Sequence, residues 1–313
     1  MDRILARPLT SGVLLLAASL LATSLFARSA HAQTASEGLS PTLSAIKSAH
    51  AVRLGYRESS PPFSFLDQSG RPIGYSLELC AAIVEEIGVE VDDPNLRIDY
   101  VKVTPDDRID AVLQNKIDLE CGSTTANAER GKRVAFSPLM FVAGTKLMVP
   151  RASTVAAVTD LKGKTVVVTK GTTNEQAMHV ADKKFSLGLN IVTSPDHEQS
   201  YQMLADGKAD AFATDDILLF GLIARHKAQD RFRVTGDYLS YDPYGIMFRK
   251  GEPQLAAVVE RAFRKLGSNR DLVPLYKKWF TARLPTGERL NVPISLQLEE
   301  AFKAMDDSAS ANN

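Results

Sequence analysis

The sequence predicts an α/β chain built as two similar lobes joined by two extended crossover strands. Three observations predict it. Short β-rich runs alternate with amphipathic helical stretches, as in strand–helix units. Two segments echo one another: Leu113-Gln-Asn-Lys-Ile-Asp-Leu119 and Leu204-Ala-Asp-Gly-Lys-Ala-Asp-Ala211 each end a helix, turn through Lys-x-Asp and enter a strand. Two extended segments, 141–149 and 244–249, bracket the stretch between them, as a departure to a second lobe and a return would.

Taken in order, the chain begins with an export signal. Arg3 and Arg7 precede an uncharged, mostly apolar run over 13–27, and Arg28-Ser-Ala-His-Ala32 closes it with an Ala-x-Ala exit. A basic start, about fifteen apolar residues and small residues at the exit make a secretory signal peptide, with cleavage after Ala32. Retention as a membrane anchor is the weaker reading, because the apolar core is short for a span. Residues 33–42 are small and polar, a flexible lead-in. Strands are expected over 52–56, 97–103, 118–121, 165–169, 190–193 and 209–213, and helices over 75–87, 174–185, 198–205, 217–226 and 253–266. In the last of these Val258, Val259, Ala262, Phe263 and Leu266 keep helical spacing. After Pro285, Gly287 and Pro293 a short helix follows over 296–305. Lobe one then comprises 43–145 with 245–313, and lobe two 146–244.

Composition narrows the function classes. There are 37 basic and 37 acidic residues, with 44% apolar and 24% charged content. That balance suits a globular chain and gives no electrostatic case for nucleic acid. No G-x-S-x-G, H-E-x-x-H, C-x-x-C or Walker loop is present, and the histidines lack metal-ligand spacing, so no catalytic residue, cofactor or metal site is expected. The two cysteines could pair in an oxidising compartment. Both fall inside expected regular elements, Cys80 on a helix stripe with Leu77, Leu79 and Ile83 and Cys121 in a strand, and two buried thiols are the expectation.

Polar loops at strand ends are what the sequence offers instead. Gly171-Thr-Thr-Asn-Glu175 follows a strand and opens a helix with capping-box spacing from Thr172 to Glu175, and free N–H groups at a helix start bind anions. Ser123-Thr-Thr125 follows another strand, with Arg130 just beyond, a guanidinium suited to bidentate carboxylate capture. Arg57 follows the first strand, Arg108 starts a helix after Pro105, Asp215 begins another, and His197 follows Pro195-Asp196. Each alone reads as readily as a cap or a surface residue.

Read together they resemble the periplasmic solute-binding proteins of polar amino-acid ABC importers, and within that family the branch that takes glutamate and aspartate. The resembling residues are Arg57-Glu-Ser-Ser-Pro-Pro-Phe-Ser64, Gly74-Tyr-Ser76, Glu120-Cys-Gly-Ser-Thr-Thr-Ala-Asn127 with Glu129-Arg130, Val166-Val-Val-Thr-Lys-Gly-Thr-Thr173, Asp196-His197, Asp215-Asp216 and Lys278-Trp-Phe280. The resemblance runs from about residue 43 to 304. It implies a type II periplasmic binding protein: two α/β lobes that close by a hinge on one L-glutamate or L-aspartate and hand it to a membrane ABC permease, a monomer without cofactor or catalysis. It further implies that Arg130, Thr125 and Thr172 hold the ligand α-carboxylate, that Asp215 and Ser123 take its ammonium, and that Arg57, Arg108, Thr169 and His197, the last adding charge when protonated, surround the side-chain carboxylate. The branch usually has a serine three residues before Arg108; Pro105 stands there and removes one donor. An exported enzyme on this fold, resembling a cyclohexadienyl dehydratase, is the alternative, and the sensing part of a receptor a remoter one.

Overall fold

A computed structural model describes residues 38–310; the export signal, its cleavage point and the start of the lead-in lie outside the described residues. Helix α1 (Pro41–Ala49) carries proline in its first turn, where the missing N–H has no intrahelical partner to lose. Pro41 and Thr42, polar lead-in by composition, are therefore helical. The N–H and hydroxyl of Thr42 both donate to buried Glu252, at 2.9 and 2.7 Å. Strand β1 (Ala51–Tyr56) runs into a small antiparallel sheet of β2 (Ser59–Ser60), β3 (Ser64–Leu66) and β4 (Pro72–Ile73). Then come α2 (Tyr75–Val91), β5 (Arg97–Lys102), α3 (Arg108–Leu113), β6 (Leu119–Glu120) and β7 (Val134–Phe136).

Strand β8 (Phe141–Ala143) leaves this lobe. The second lobe consists of β9 (Thr145–Pro150), β10 (Thr165–Thr169), α4 (Thr173–Phe185), β11 (Asn190–Ser194), α5 (His197–Ala205), β12 (Ala211–Asp215), α6 (Asp216–Arg225) and β13 (Phe232–Thr235). Strand β14 (Asp242–Tyr244) returns, and β15 (Met247–Arg249), α7 (Pro253–Ser268), α8 (Leu272–Phe280) and α9 (Leu296–Ser310) complete the first lobe.

The two lobes are built alike. Their sheets run β5-β1-β6-β15-β7 and β11-β10-β12-β9-β13. In each, the first three strands are parallel and the fourth is antiparallel. The echoing segments enter β6 and β12, which hold the same third place in their sheets. Each antiparallel strand follows a crossover, β9 after β8 and β15 after β14, and β8 pairs with β14 antiparallel. The two extended segments of the sequence are thus each split in two, at Gly144 and Gly245. One part joins the crossover pair and the other a lobe sheet.

Aromatic packing fixes the crossovers to the first lobe. Phe141 stacks on Phe280 at 4.7 Å, Phe63 meets Tyr244 edge-on at 5.1 Å, and the Tyr75 hydroxyl donates to the Met140 carbonyl at 3.0 Å. Each such buried ring contributes roughly 1.5–3 kcal/mol relative to an exposed one.

The cysteines correct the expectation of two thiols. Cys80 and Cys121 form a disulfide with Cα atoms 6.2 Å apart, inside the range that a disulfide spans. Cys121 lies just past β6 rather than within it, and Ser76, one helical turn before Cys80, donates to the Gly122 carbonyl at 2.7 Å. One face of α2 therefore meets the segment that leaves β6, a contact across 41 residues that burial patterns do not register.

Candidate functional site

Open parallel sheets present their strand carboxyl ends to ligands, and here the polar loops leave those ends. Arg57 follows β1, Ser123 to Thr125 follow β6, Thr169 ends β10 and Asp215 ends β12. Close contacts with neighbouring side chains keep the first group in place. The Arg57 N–H donates to the Ser64 hydroxyl at 2.9 Å. At Gly122 an added Cβ would stand 2.3 Å from Glu120 Oε1 and 3.0 Å from Arg57 Cγ, so a larger residue there would displace the Glu120 carboxyl.

Three guanidiniums converge. Arg57 is 1% exposed, Arg108 2% and Arg130 9%. Burial first, and the Arg108 charge second, push Arg57 and Arg130 down to about 9. Neither Nη1 nor Nη2 of Arg57 has a hydrogen-bond partner, nor does Arg108 Nε. Arg130 is held from both lobes: Nη1 donates to the Thr125 carbonyl at 2.9 Å and Nη2 to the Gly171 carbonyl at 3.3 Å. Thr125 in turn donates to Asp242 Oδ1 at 3.0 Å, tying this segment to β14. The Ser123 hydroxyl is buried without a partner.

The second lobe supplies the opposite wall. Thr172 caps α4 as its spacing predicts, accepting from the Glu175 N–H at 3.2 Å, while Glu175 Oε2 accepts from the Gly171 N–H at 2.9 Å. Thr169 Oγ1 lies 2.8 Å from His197 Nδ1 and 2.8 Å from Ser200 Oγ. For His197 the sequence left the charge of the imidazole open. It is buried against Arg57 and Arg108, and desolvation with those two positive charges drives it well below its usual value, so it is neutral.

Asp215 precedes α6 but its side chain caps nothing. Its Oδ1 accepts from Asn174 Nδ2 at 2.8 Å, and its Oδ2 accepts from the Tyr244 hydroxyl on the crossover. Burial, then the nearby Asp242 charge, push Asp215 up to about 8. Of the nine residues singled out by sequence, Arg57, Ser123, Thr125, Thr169 and Asp215 lie at or just past strand ends and Arg108, Arg130, Thr172 and His197 at the starts of helical turns. Electrostatics couple Arg57, Arg108, Arg130, His197 and Asp215 into one group.

Sequence reasoning missed Glu120, Asn174, Asp242 and Tyr244. Asn174 sits within the Gly171–Glu175 loop and carried a signal there. Glu120 opens the resembling Glu120–Asn127 stretch but was given no role there, and Asp242 and Tyr244 carry no motif; their contacts, such as Thr125 to Asp242 over 117 positions, arise only in the fold.

The lobes meet on both flanks of this site. Lys170 pairs with Asp106 at 2.9 Å, an added Cβ at Gly171 would stand 2.7 Å from Asp106 Cα, and one at Gly221 would stand 2.3 Å from the Pro61 carbonyl oxygen. Among the described residues no group of His, Cys, Asp and Glu could hold a metal ion, and no helix is long and apolar enough to cross a membrane.

Residues 52–282 match the bacterial extracellular solute-binding proteins, family 3. The L-glutamate/L-aspartate-binding protein of Pseudomonas aeruginosa is 38% identical, over 94% of this chain and 98% of its own. The glutamate/aspartate import solute-binding protein of Salmonella typhimurium is 34% identical, over 97% and 98%. Among solved structures, an ancestral amino acid-binding protein described as a precursor of cyclohexadienyl dehydratase superposes with a TM-score of 0.66 at 29% identity, covering 77% of this chain and all of that one.

Proposed function

Because the chain belongs to the bacterial extracellular solute-binding proteins, family 3, we propose that it captures L-glutamate or L-aspartate between its two lobes in the periplasm and delivers it, unaltered, to an ABC-type permease. The mature protein starts at Gln33 and works as a monomer. Residues 43–145 with 245–313 form one moving body and 146–244 the other. The names of its relatives support an acidic amino-acid ligand.

One observation carries the reading: three buried guanidiniums, with the terminal nitrogens of Arg57 and Nε of Arg108 unpartnered, lie within electrostatic reach of the buried carboxyls of Glu120, Asp215 and Asp242, of which Asp215 is set to meet an ammonium. A ligand with two carboxylates and one ammonium matches that set. Arg130, with Thr125 and with Thr172 at the start of α4, receives the α-carboxylate. Asp215 and Ser123 receive the ammonium. Arg57, Arg108, Thr169 and neutral His197 enclose the side-chain carboxylate, where His197 serves as a hydrogen-bonding group rather than a charge. Charge-assisted hydrogen bonds contribute roughly 1.5–3 kcal/mol each, and several reach the about −8 kcal/mol of micromolar binding. Lysine would set its ammonium against Arg57, which disfavours it.

Calorimetric titration with glutamate, aspartate, glutamine and lysine tests this. Binding at micromolar concentration or tighter is expected for the first two and far weaker for the others. Equal binding of glutamine or lysine would refute the acidic-ligand assignment. Similarity to a dehydratase precursor keeps an enzymatic alternative in view, and turnover of prephenate or arogenate would establish it in place of transport.

A further inference from the structure

Glu120 is a buried carboxylate that the acidic-ligand reading does not use. It ends β6, paired with Gly55 of β1 and Met247 of β15, and is wholly buried. Oε2 accepts from the Thr124 hydroxyl at 2.6 Å, while Oε1 has no hydrogen-bond partner. The tight fit at Gly122 places Oε1 in the same narrow space as the Arg57 stem. A carboxylate buried with so little hydrogen bonding requires positive charge nearby. Its neighbours in charge are Arg57, Arg108 and Arg130, on all three of which it acts. Yet the unpartnered nitrogens of Arg57 and Arg108 are not engaged by it. Glu120 therefore cancels part of the guanidinium charge at a distance and leaves the donors free for a ligand. A direct ion pair would have consumed them.

Resting on the acidic amino-acid site proposed above, we propose that Glu120 is the internal counter-anion of that site, a specificity residue that favours a zwitterionic acidic amino acid over a dianion of the same shape. The other acidic groups that act on these arginines are Asp215 and Asp242, with Asp196 and Asp107 acting on Arg57 more weakly than Glu120 does. Whichever protonation state Asp215 takes, neutralising Glu120 makes the enclosure one unit more positive. That change favours the ligand with one more negative charge.

The probes are L-glutamate and glutarate, which keeps both carboxylates and lacks the ammonium. Both are titrated calorimetrically into the wild type, Glu120→Gln and Glu120→Asp. In Glu120→Gln the ratio of glutarate to glutamate affinity is expected to rise by about tenfold or more, as one buried charge allows. Glu120→Asp, which keeps the charge, is expected to retain the wild-type ratio within about threefold. An unchanged ratio in Glu120→Gln, with both ligands weakened alike, overturns the inference and makes Glu120 a shaper of the strand end. If Glu120→Gln does not fold while Glu120→Asp folds and keeps the ratio, the charge itself is required and the inference stands. If neither folds, shape is what matters and it falls. A wild type that binds neither ligand overturns the proposed function and this inference with it; wild-type binding with an unchanged ratio overturns the inference alone.

Discussion

Both terminal nitrogens of Arg57 are buried without a protein acceptor, an arrangement that costs folding free energy and is recovered only when a ligand supplies acceptors. Arg57→Ala is therefore expected to leave the unliganded melting temperature unchanged or higher while weakening glutamate by about 3 kcal/mol or more, over a hundredfold. Thermal melts with and without ligand check both halves; unaltered glutamate affinity would remove Arg57 from the site. Asp215 carries a similar trade with a pH signature. Its pKa is raised from 3.8 in a free chain to about 8 here, so the folded state holds a proton that the unfolded chain has released, and stability from this group declines as pH rises from about 4 to about 8. Asp215→Asn should abolish that slope, melt a few degrees higher than wild type at pH 8, and lose ligand affinity. His197 has the opposite sign. Its pKa is depressed below 6.5, so stability is lost as pH falls through and below that value, and His197→Gln should flatten the acid side of the curve. A melting profile in which Asp215→Asn tracks the wild type across pH 4 to 8 would contradict the buried-carboxylate account. At this scale the nine residues could be named because each stands at the end of a strand or the start of a helical turn beside hydroxyls, glycines or caps, and their roles came from the family resemblance. Asp242 was not, and Glu120 was seen only as the first residue of a resembling stretch, because a carboxylate entering or leaving a strand looks solvent-facing until the sheet is assembled around it.

Elements were legible where the hydrophobic period was long. The parallel strands of both lobes and helices α2, α4, α5, α6 and α7 fall within a few residues of their expected bounds. Two short helices were not: α1 is hidden by a polar start and α8 contains Pro274 in its first turn, whereas the start of α3 at Arg108 and its end at Leu113 were read from the sequence. The crossovers were legible as extended chain but not as a pair, since β8 and β14 meet across about a hundred residues. The disulfide is an element-scale feature too, because it clasps α2 to the exit of β6. It closes a loop of 41 residues, for which the chain-entropy account predicts about 4 kcal/mol. Replacing both cysteines with serine should lower the melting temperature by several degrees, read in non-reducing against reducing buffer. Equal melting of wild type and double variant would show that the clasp contributes nothing. Because the bond lies one residue from Gly122, the variant should also bind glutamate more weakly, by loosening the segment that carries Ser123 and Thr125.

On the scale of the whole molecule the decisive contacts are those between lobes, and the sequence is silent about them because they depend on how far the hinge has turned. Lys170 with Asp106, Arg130 with the Gly171 carbonyl and Gly221 against Pro61 join the two lobes in this structure, and the proposed hinge motion would part them. Gly221 isolates that motion. It lies inside α6, where alanine would favour the helix by roughly 0.5–1 kcal/mol, yet its Cβ would stand 2.3 Å from the Pro61 carbonyl oxygen, a backbone atom with little room to yield. Gly221→Ala should therefore leave the unliganded protein as stable as wild type or a few degrees more stable, and hinder closure. Its glutamate affinity is expected to fall by about tenfold or more, since binding must now displace backbone or stop short of full enclosure. Small-angle scattering supplies the independent readout. Wild-type protein should lose radius of gyration at saturating glutamate, and the variant should keep a value nearer the ligand-free one. A variant that compacts fully and binds as wild type would mean that the Gly221 and Pro61 surfaces do not limit closure, and the cleft would then have to seal on the Gly171 flank alone.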